Sequence, residues 1–428
     1  MHYLSESHIL LFLVQILVLL GLARSLGVLC ESIKIPAITG EILAGVILGP
    51  TLFGRVAPEL QNMLFPHNEA QYIMLETVSW LGVFFLLLSS GFHVNVQQAL
   101  RSGKAAILIG IVGVLFPIAI GYPVFSTLDP VYWGEAATSL SFPLFLSVAG
   151  SITAITVVAR ALGDLGINKT PEASLALSAC AINDIFGWLL FTVVMSLVTA
   201  HSMSVIDLGG KALMVIGFIA LSIAIGAKIL NYAIRRVQAT SLPQPAAAQT
   251  LIVSVGLLCG AITQWMGIHA ILGFFLAGTM AGSSKRVTED LRNNLSDTLH
   301  AIFVPLFFAT LGLKIDFLVG LELWPTVLFC AVAILGKFAG AWLGAYLGKQ
   351  SQKTSVLMGL IFIPGGAMEI VVATLAIELQ LIGQAIFVAI VFSALLSSIL
   401  AGPLIGFQAR RLGIGKLKED VGTKIIDV

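Results

Sequence analysis

The sequence predicts an all-α polytopic membrane protein of thirteen transmembrane helices, arranged as an inverted repeat around two discontinuous helices. Three observations carry this. Of the 428 residues, 58% are hydrophobic and 11% charged, with a mean hydropathy of +1.00, whereas a soluble domain is about 25% charged. The apolar residues fall into thirteen segments, most near the ~20 residues that cross a bilayer and without the period-two alternation of a β-barrel. Two segments, the fifth and the twelfth, carry helix-breaking residues at mid-depth. This composition excludes a soluble enzyme, a nucleic-acid binder and a disordered chain. With 23 Lys+Arg against 22 Asp+Glu, no single-sign surface dominates.

The segments cover 8–29, 36–54, 70–92, 104–125, 139–161, 172–199, 207–231, 247–266, 268–283, 294–314, 323–348, 354–377 and 383–408. The first lacks a basic leader and is expected to stay as a span rather than be cleaved. The short 268–283 segment is set off from its neighbour by the turn-like pair Met266-Gly267. If loops alternate sides, one side collects nineteen of the 23 basic residues. The other holds Arg55, Lys211 and Lys314, and Lys337 lies mid-span. Basic loops face the cytoplasm, which places the protein in the cell (inner) membrane with the N-terminus outside and the polar tail, 409–428, in the cytoplasm. That tail is too short to fold as a domain. No Gly-rich nucleotide loop occurs, so energy for any transport would come from an ion gradient or a partner. Cys30, Cys180, Cys259 and Cys330 have neither metal nor disulfide spacing and read as small core residues.

The fifth segment contains Ser147-Val-Ala-Gly-Ser151-Ile-Thr153-Ala-Ile-Thr156, one glycine and four hydroxyls in mid-membrane. The twelfth contains Ile363-Pro364-Gly365-Gly366-Ala-Met-Glu369. Proline removes a backbone donor, and each glycine costs about 1 kcal/mol of helix propensity. Non-helical backbone at that depth survives only where it is buried or lines a wet cavity. The two segments are seven apart, and an odd offset reverses direction, as an inverted repeat of segments 1–6 and 8–13 about a seventh linker would. Paired interruptions at matching positions point to a transporter site.

Segment six carries Asn183-Asp184. Asp184 lies about twelve residues in, roughly 18 Å at 1.5 Å per residue, hence near mid-bilayer. A carboxylate there costs several kcal/mol and marks function. Together with the oxygen of Asn183, hydroxyls such as Thr153 and free carbonyls, it offers the oxygen ligands a monovalent cation prefers. One carboxylate that holds either a proton or a cation is a competitive exchange site. Lys337, also mid-span, has three readings: neutralising helix dipoles, pairing with Asp184, or exchanging a proton itself. Glu369 either binds the cation, balances Lys337 or caps a half-helix. Glu41 reads as structural or as a funnel charge, Glu76 sits near the outer surface, and His269 opens a short span at its outer end.

The chain resembles the monovalent cation:proton antiporters, in particular the second cation:proton antiporter family. The motifs that carry the resemblance are Pro36-Ala-Ile-Thr-Gly-Glu-Ile-Leu-Ala-Gly-Val-Ile-Leu-Gly-Pro50, Ala181-Ile-Asn183-Asp184, Gly267-Ile-His-Ala-Ile-Leu-Gly273, Pro305-Leu-Phe-Phe-Ala-Thr-Leu-Gly312 and Gly366-Ala-Met-Glu369, within residues 10–408. The resemblance implies the sodium/proton antiporter fold: a core with two crossed broken helices moves like an elevator against a fixed dimer domain, in a homodimer. It divides the chain into scaffold (1–103), core (104–200), linker and scaffold (201–322), core (323–408) and tail. It implies that Asp184 carries cation and proton, that Thr153 belongs to the first broken helix, and that Lys337 is the core lysine. Two departures stand out. Gly365-Gly366 occupies a place where many relatives carry Arg or Lys, so a charge partner for Glu369 is either missing or supplied by Lys337. The cytosolic nucleotide-binding domain of many relatives has no counterpart in this sequence.

The resulting expectation is a secondary antiporter of Na⁺ or K⁺ against H⁺, without a cofactor, whose partners are lipid, the transported ions and a second copy. A sodium-coupled symporter of a small organic anion and a non-transporting sensor are the competing readings. The former needs an additional anion-binding group, for which only Lys337 is available; the latter makes Asp184 dispensable.

Overall fold

A computed structural model describes residues 5–33, 35–94, 99, 101–199 and 205–414. Lys34, Lys416, Lys418 and Lys424, which enter the charge asymmetry above, and residues 415–428 of the tail lie outside the described residues.

The described chain is helical. Its main elements are α1 (Glu6–Ser32), α2 (Ala37–Leu48), α3 (Glu69–Phe92), α4 (Gly103–Phe125), α5 (Ser141–Ala149), α6 (Ile155–Asp164), α7 (Pro171–Thr199) and α8 (Val205–Leu221). They continue with α9 (Ala227–Gln238), α10 (Ala246–Trp265), α11 (Ala270–Gly282), α12 (Glu289–Lys314), α13 (Leu323–Leu347), α14 (Gln352–Ile361), α15 (Gly366–Glu378) and α16 (Gln384–Arg411). A π-helical turn, Ser222–Gly226, joins α8 to α9. Helix starts follow local chemistry. Ser5, Asn68, Thr288 and Ser351 accept backbone N–H groups at the starts of α1, α3, α12 and α14, satisfying donors that the helix itself cannot.

Helix length and apolarity do not confirm the count of thirteen spans. Among the described residues ten helices are long and apolar enough to cross a membrane, and the pair α14/α15, bent by 46°, makes eleven. The other two expected segments are α11, with 13 residues, and the α5/α6 pair. At 1.5 Å per residue α11 reaches only about 20 Å, short of a ~30 Å hydrocarbon layer. The turn that sets α11 off from α10 is real: Gly267 has φ +72°, a conformation that favours glycine.

Helices pack in two groups. One comprises α1, α2, α3, α10, α11 and α12; the other comprises α4 to α7 and α13 to α16. Small residues bring backbones together within a group, as packing in lipid requires. A Cβ on Gly45 of α2 would strike the Ala309 carbonyl of α12, and one on Gly312 would strike the Ile42 carbonyl. Between the groups, on the side of the α1 C-terminus, lies a cavity of about 930 Å³ bounded by α1, α6 and α16. On the opposite side, a small cavity of about 10 Å³ lies between the groups, lined by Glu76, Lys314 and Glu378.

Candidate functional site

The two interruptions meet. α5 ends at Ala149 and α6 begins at Ile155; α14 ends at Ile361 and α15 begins at Gly366. The extended residues between them hydrogen-bond across the crossing. The Ala154 N–H donates to the Pro364 carbonyl at 3.0 Å, and Thr153 Oγ1 donates to the Phe362 carbonyl at 2.9 Å. Backbone groups released from both helices are thereby paired with each other, which is how broken helices persist at depth. Gly366 has φ +55°, and a Cβ there would press on Val157 and Ala154. Pro364 and Gly366 therefore serve different ends: one cannot continue the helix, the other allows the return into α15.

Around this crossing two helices supply polar groups. α7 brings Asn183 and Asp184, both fully buried. Asn183 Oδ1 accepts the Thr153 N–H at 3.1 Å. A backbone donor requires an acceptor, so this contact fixes the amide orientation. It also commits the Asn183 oxygen, expected above to face a cation, to the broken helix; its Nδ2 has no partner among the described residues. Among the described residues, neither carboxylate oxygen of Asp184 has a hydrogen-bond partner. Such a pair of buried orphan acceptors is uncommon in a folded protein and suits a proton or a cation as the missing partner. α16 supplies Ser397, whose Oγ accepts the Gly365 N–H at 3.2 Å. Ser397 was not singled out in the sequence, because a serine in an apolar helix carries no local mark of its partner.

Lys337 of α13 is fully buried, and its Nζ lies 3.5 Å from Glu369 Oε2. It bonds to Glu369, not to Asp184. Gly365 makes room for this pair, since a Cβ there would collide with the Glu369 carboxylate and come within 3.0 Å of Lys337 Nζ. Glu369 also sits in the first turn of α15, where a negative charge is favoured by the helix dipole. Ser393 of α16 lies beside the same carboxylate.

The remaining expected residues fall outside the hydrogen bonds of the crossing. Ser151 Oγ donates to the Val148 carbonyl at 2.8 Å and so closes the end of α5. Thr156 lies half-buried in the first turn of α6. Glu41 is buried in α2, Glu76 lies 3.8 Å from Lys314, and His269 caps α11 while stacking on Trp80 at 5.3 Å. One turn beyond Asp184, the buried Trp188 packs on Phe275 of α11, ring centroids 5.9 Å apart.

Comparison with known proteins places these observations. Residues 6–411 match the family described as sodium/hydrogen exchanger, transmembrane. The chain is 30% identical over 412 residues to the Na⁺/H⁺ antiporter NhaS4 of Synechocystis, covering 94% of this chain and 98% of that protein. It is 28% identical to cation/H⁺ antiporter 18 of Arabidopsis thaliana, covering 92% of this chain and 48% of the relative. It is also 28% identical to K⁺/H⁺ antiporter 1 of Saccharomyces cerevisiae, covering 94% and 47%. The chain thus spans about half the length of the latter two. The solved structure of the sodium proton antiporter MjNhaP1 from Methanocaldococcus jannaschii superposes with a TM-score of 0.71 at 18% identity, covering 95% of this chain and 99% of that one. At that identity the likeness speaks for the fold.

Proposed function

The chain belongs to the sodium/hydrogen exchanger family, a family of secondary transporters rather than enzymes, and on that premise we propose that it exchanges Na⁺ or K⁺ for H⁺ by alternating access, with Asp184 as the shared site. The observation that carries this reading is the pair of Asp184 oxygens without a hydrogen-bond partner among the described residues, with Lys337 engaged by Glu369.

Coupling follows from electrostatics. A bare carboxylate at mid-membrane costs several kcal/mol, so the core crosses readily only when Asp184 is neutralised by a proton or a cation. The empty, charged form is held back, and each crossing in one direction with a cation is matched by a return with a proton. Asn183 and Thr153 hold the broken helix beside Asp184, and hydroxyl and carbonyl oxygens there complete the shell. Lys337 and Glu369 travel together as a neutral pair and leave the charge balance to Asp184. The group containing α4 to α7 and α13 to α16 is the moving core; the other is the scaffold of a homodimer, with the basic loops in the cytoplasm.

The test is purified protein in liposomes with an imposed proton gradient, to which Na⁺, K⁺, Li⁺ and Rb⁺ are added in turn. Dissipation by Na⁺ or K⁺ that disappears in Asp184→Asn is expected. No dissipation by any of the four would overturn antiport and return the symporter and sensor readings to consideration.

A further inference from the structure

The mouth of the 930 Å³ cavity holds the only ion pair among the described residues that joins a spanning helix of one group to a helix of the other. Arg160 Nη2 of α6 lies 2.7 Å from Glu31 Oε1 of α1, and both residues line the cavity. Arg160 also reaches Asp164, one turn along its own helix, at 3.9 Å. The other ion pairs stay within a group or lie in a connecting turn.

Glu31 is badly placed for its own helix. It sits in the last turn of α1, which has no basic residue, where the helix dipole disfavours negative charge. Arg160 supplies the missing positive charge from across the cavity. The floor of that cavity reaches Val157, which lies against Gly366 of the crossing. The pair therefore bridges the two groups at the cavity that reaches Val157, whereas the cavity between Glu76, Lys314 and Glu378 on the opposite side is only about 10 Å³. Sliding of one group past the other would separate the two residues.

We propose that the Glu31–Arg160 ion pair is a latch that holds the cavity side open and is weakened by ionic strength. This rests on the alternating-access reading above. The side chains are 36% and 51% exposed, so the latch shifts the equilibrium only about two- to fivefold, as exposed pairs do. Salt screens such pairs over a length of about 10 Å at 0.1 M, so high ionic strength acts like removal of the pair.

Gly402 of α16 lines the cavity and has open space where a Cβ would stand, so Gly402→Cys is a reporter of the open side. The measurement is its rate of modification by neutral N-ethylmaleimide in substrate-free, full-length protein in nanodiscs, at low and high choline chloride. The protein without this substitution, whose four cysteines are buried, is the blank. Labelling is expected to fall two- to fivefold at high salt. Glu31→Gln and Arg160→Gln should each be slow at low salt and insensitive to salt. The exchanged pair, Glu31→Arg with Arg160→Glu, should recover salt-sensitive labelling. The same rate and salt dependence in Glu31→Gln as in the parent would overturn the latch. Cation-driven proton flux of the same proteins in liposomes is read separately: its absence throughout would count against antiport, and the labelling would still decide the latch.

Discussion

At the scale of residues, the three buried charged side chains of the group containing the crossing divide into one that is alone and two that are paired. Among the described residues Asp184 has no hydrogen-bond partner for either oxygen, and on the proposed mechanism its charge is met by the ion it carries. Asp184→Asn keeps the size and removes the charge. Exchange should vanish while size-exclusion chromatography and thermal melting still report a folded protein; near wild-type flux would remove Asp184 from the mechanism. Lys337 and Glu369 depend on each other. Breaking a buried pair from one side typically costs about 3–5 kcal/mol, so Lys337→Ala should lower the melting temperature clearly. Adding Glu369→Gln to it should recover most of the loss. An unchanged melting temperature combined with altered coupling would instead make Lys337 a proton carrier. The depth of Asp184 was legible from its place in an apolar segment. The choice of Lys337 among its possible partners was not: Glu369 is 32 residues away, and their meeting depends on how α13 packs beside α15.

At the scale of elements, the crossing is a mutual repair of two broken helices. Each break was legible because its cause is local: glycine and hydroxyls near Gly150, proline and glycines at 364–366. What the breaks exchange was not, since a carbonyl freed at Phe362 says nothing about the threonine that finds it. Nor was the division of labour among hydroxyls, where Thr153 joins the crossing and Ser151 merely closes its own helix. Two substitutions test this element. Thr153→Val keeps the branched shape but leaves the buried Phe362 carbonyl without its donor, which should cost about 1–3 kcal/mol and show as a lower melting temperature with impaired exchange. Gly366→Ala forces a left-handed conformation worth about 1–2 kcal/mol and adds the contact with Val157 and Ala154, so it should impair both stability and exchange. Full stability in either variant would contradict the crossing described here.

At the scale of the molecule, two helix groups that pack densely within themselves and sparsely between themselves are what a sliding mechanism needs. The apolar segments were legible, but the count of thirteen was not secured by helix length and apolarity, because α11 is short and α5/α6 is interrupted. The overall charge traffic follows from the residue pairing. On the proposed mechanism one carboxylate, Asp184, exchanges one proton for one cation while Lys337 remains engaged by Glu369, so a cycle would move no net charge. One net charge moved against 100 mV would be worth about 2.3 kcal/mol, enough to change the rate severalfold. The direct measurement is Na⁺-driven proton flux in liposomes under the same potassium gradient with and without valinomycin. The account predicts equal rates at all imposed voltages. A rate that follows the voltage would contradict it and make a second group, with Lys337 foremost, part of the proton traffic.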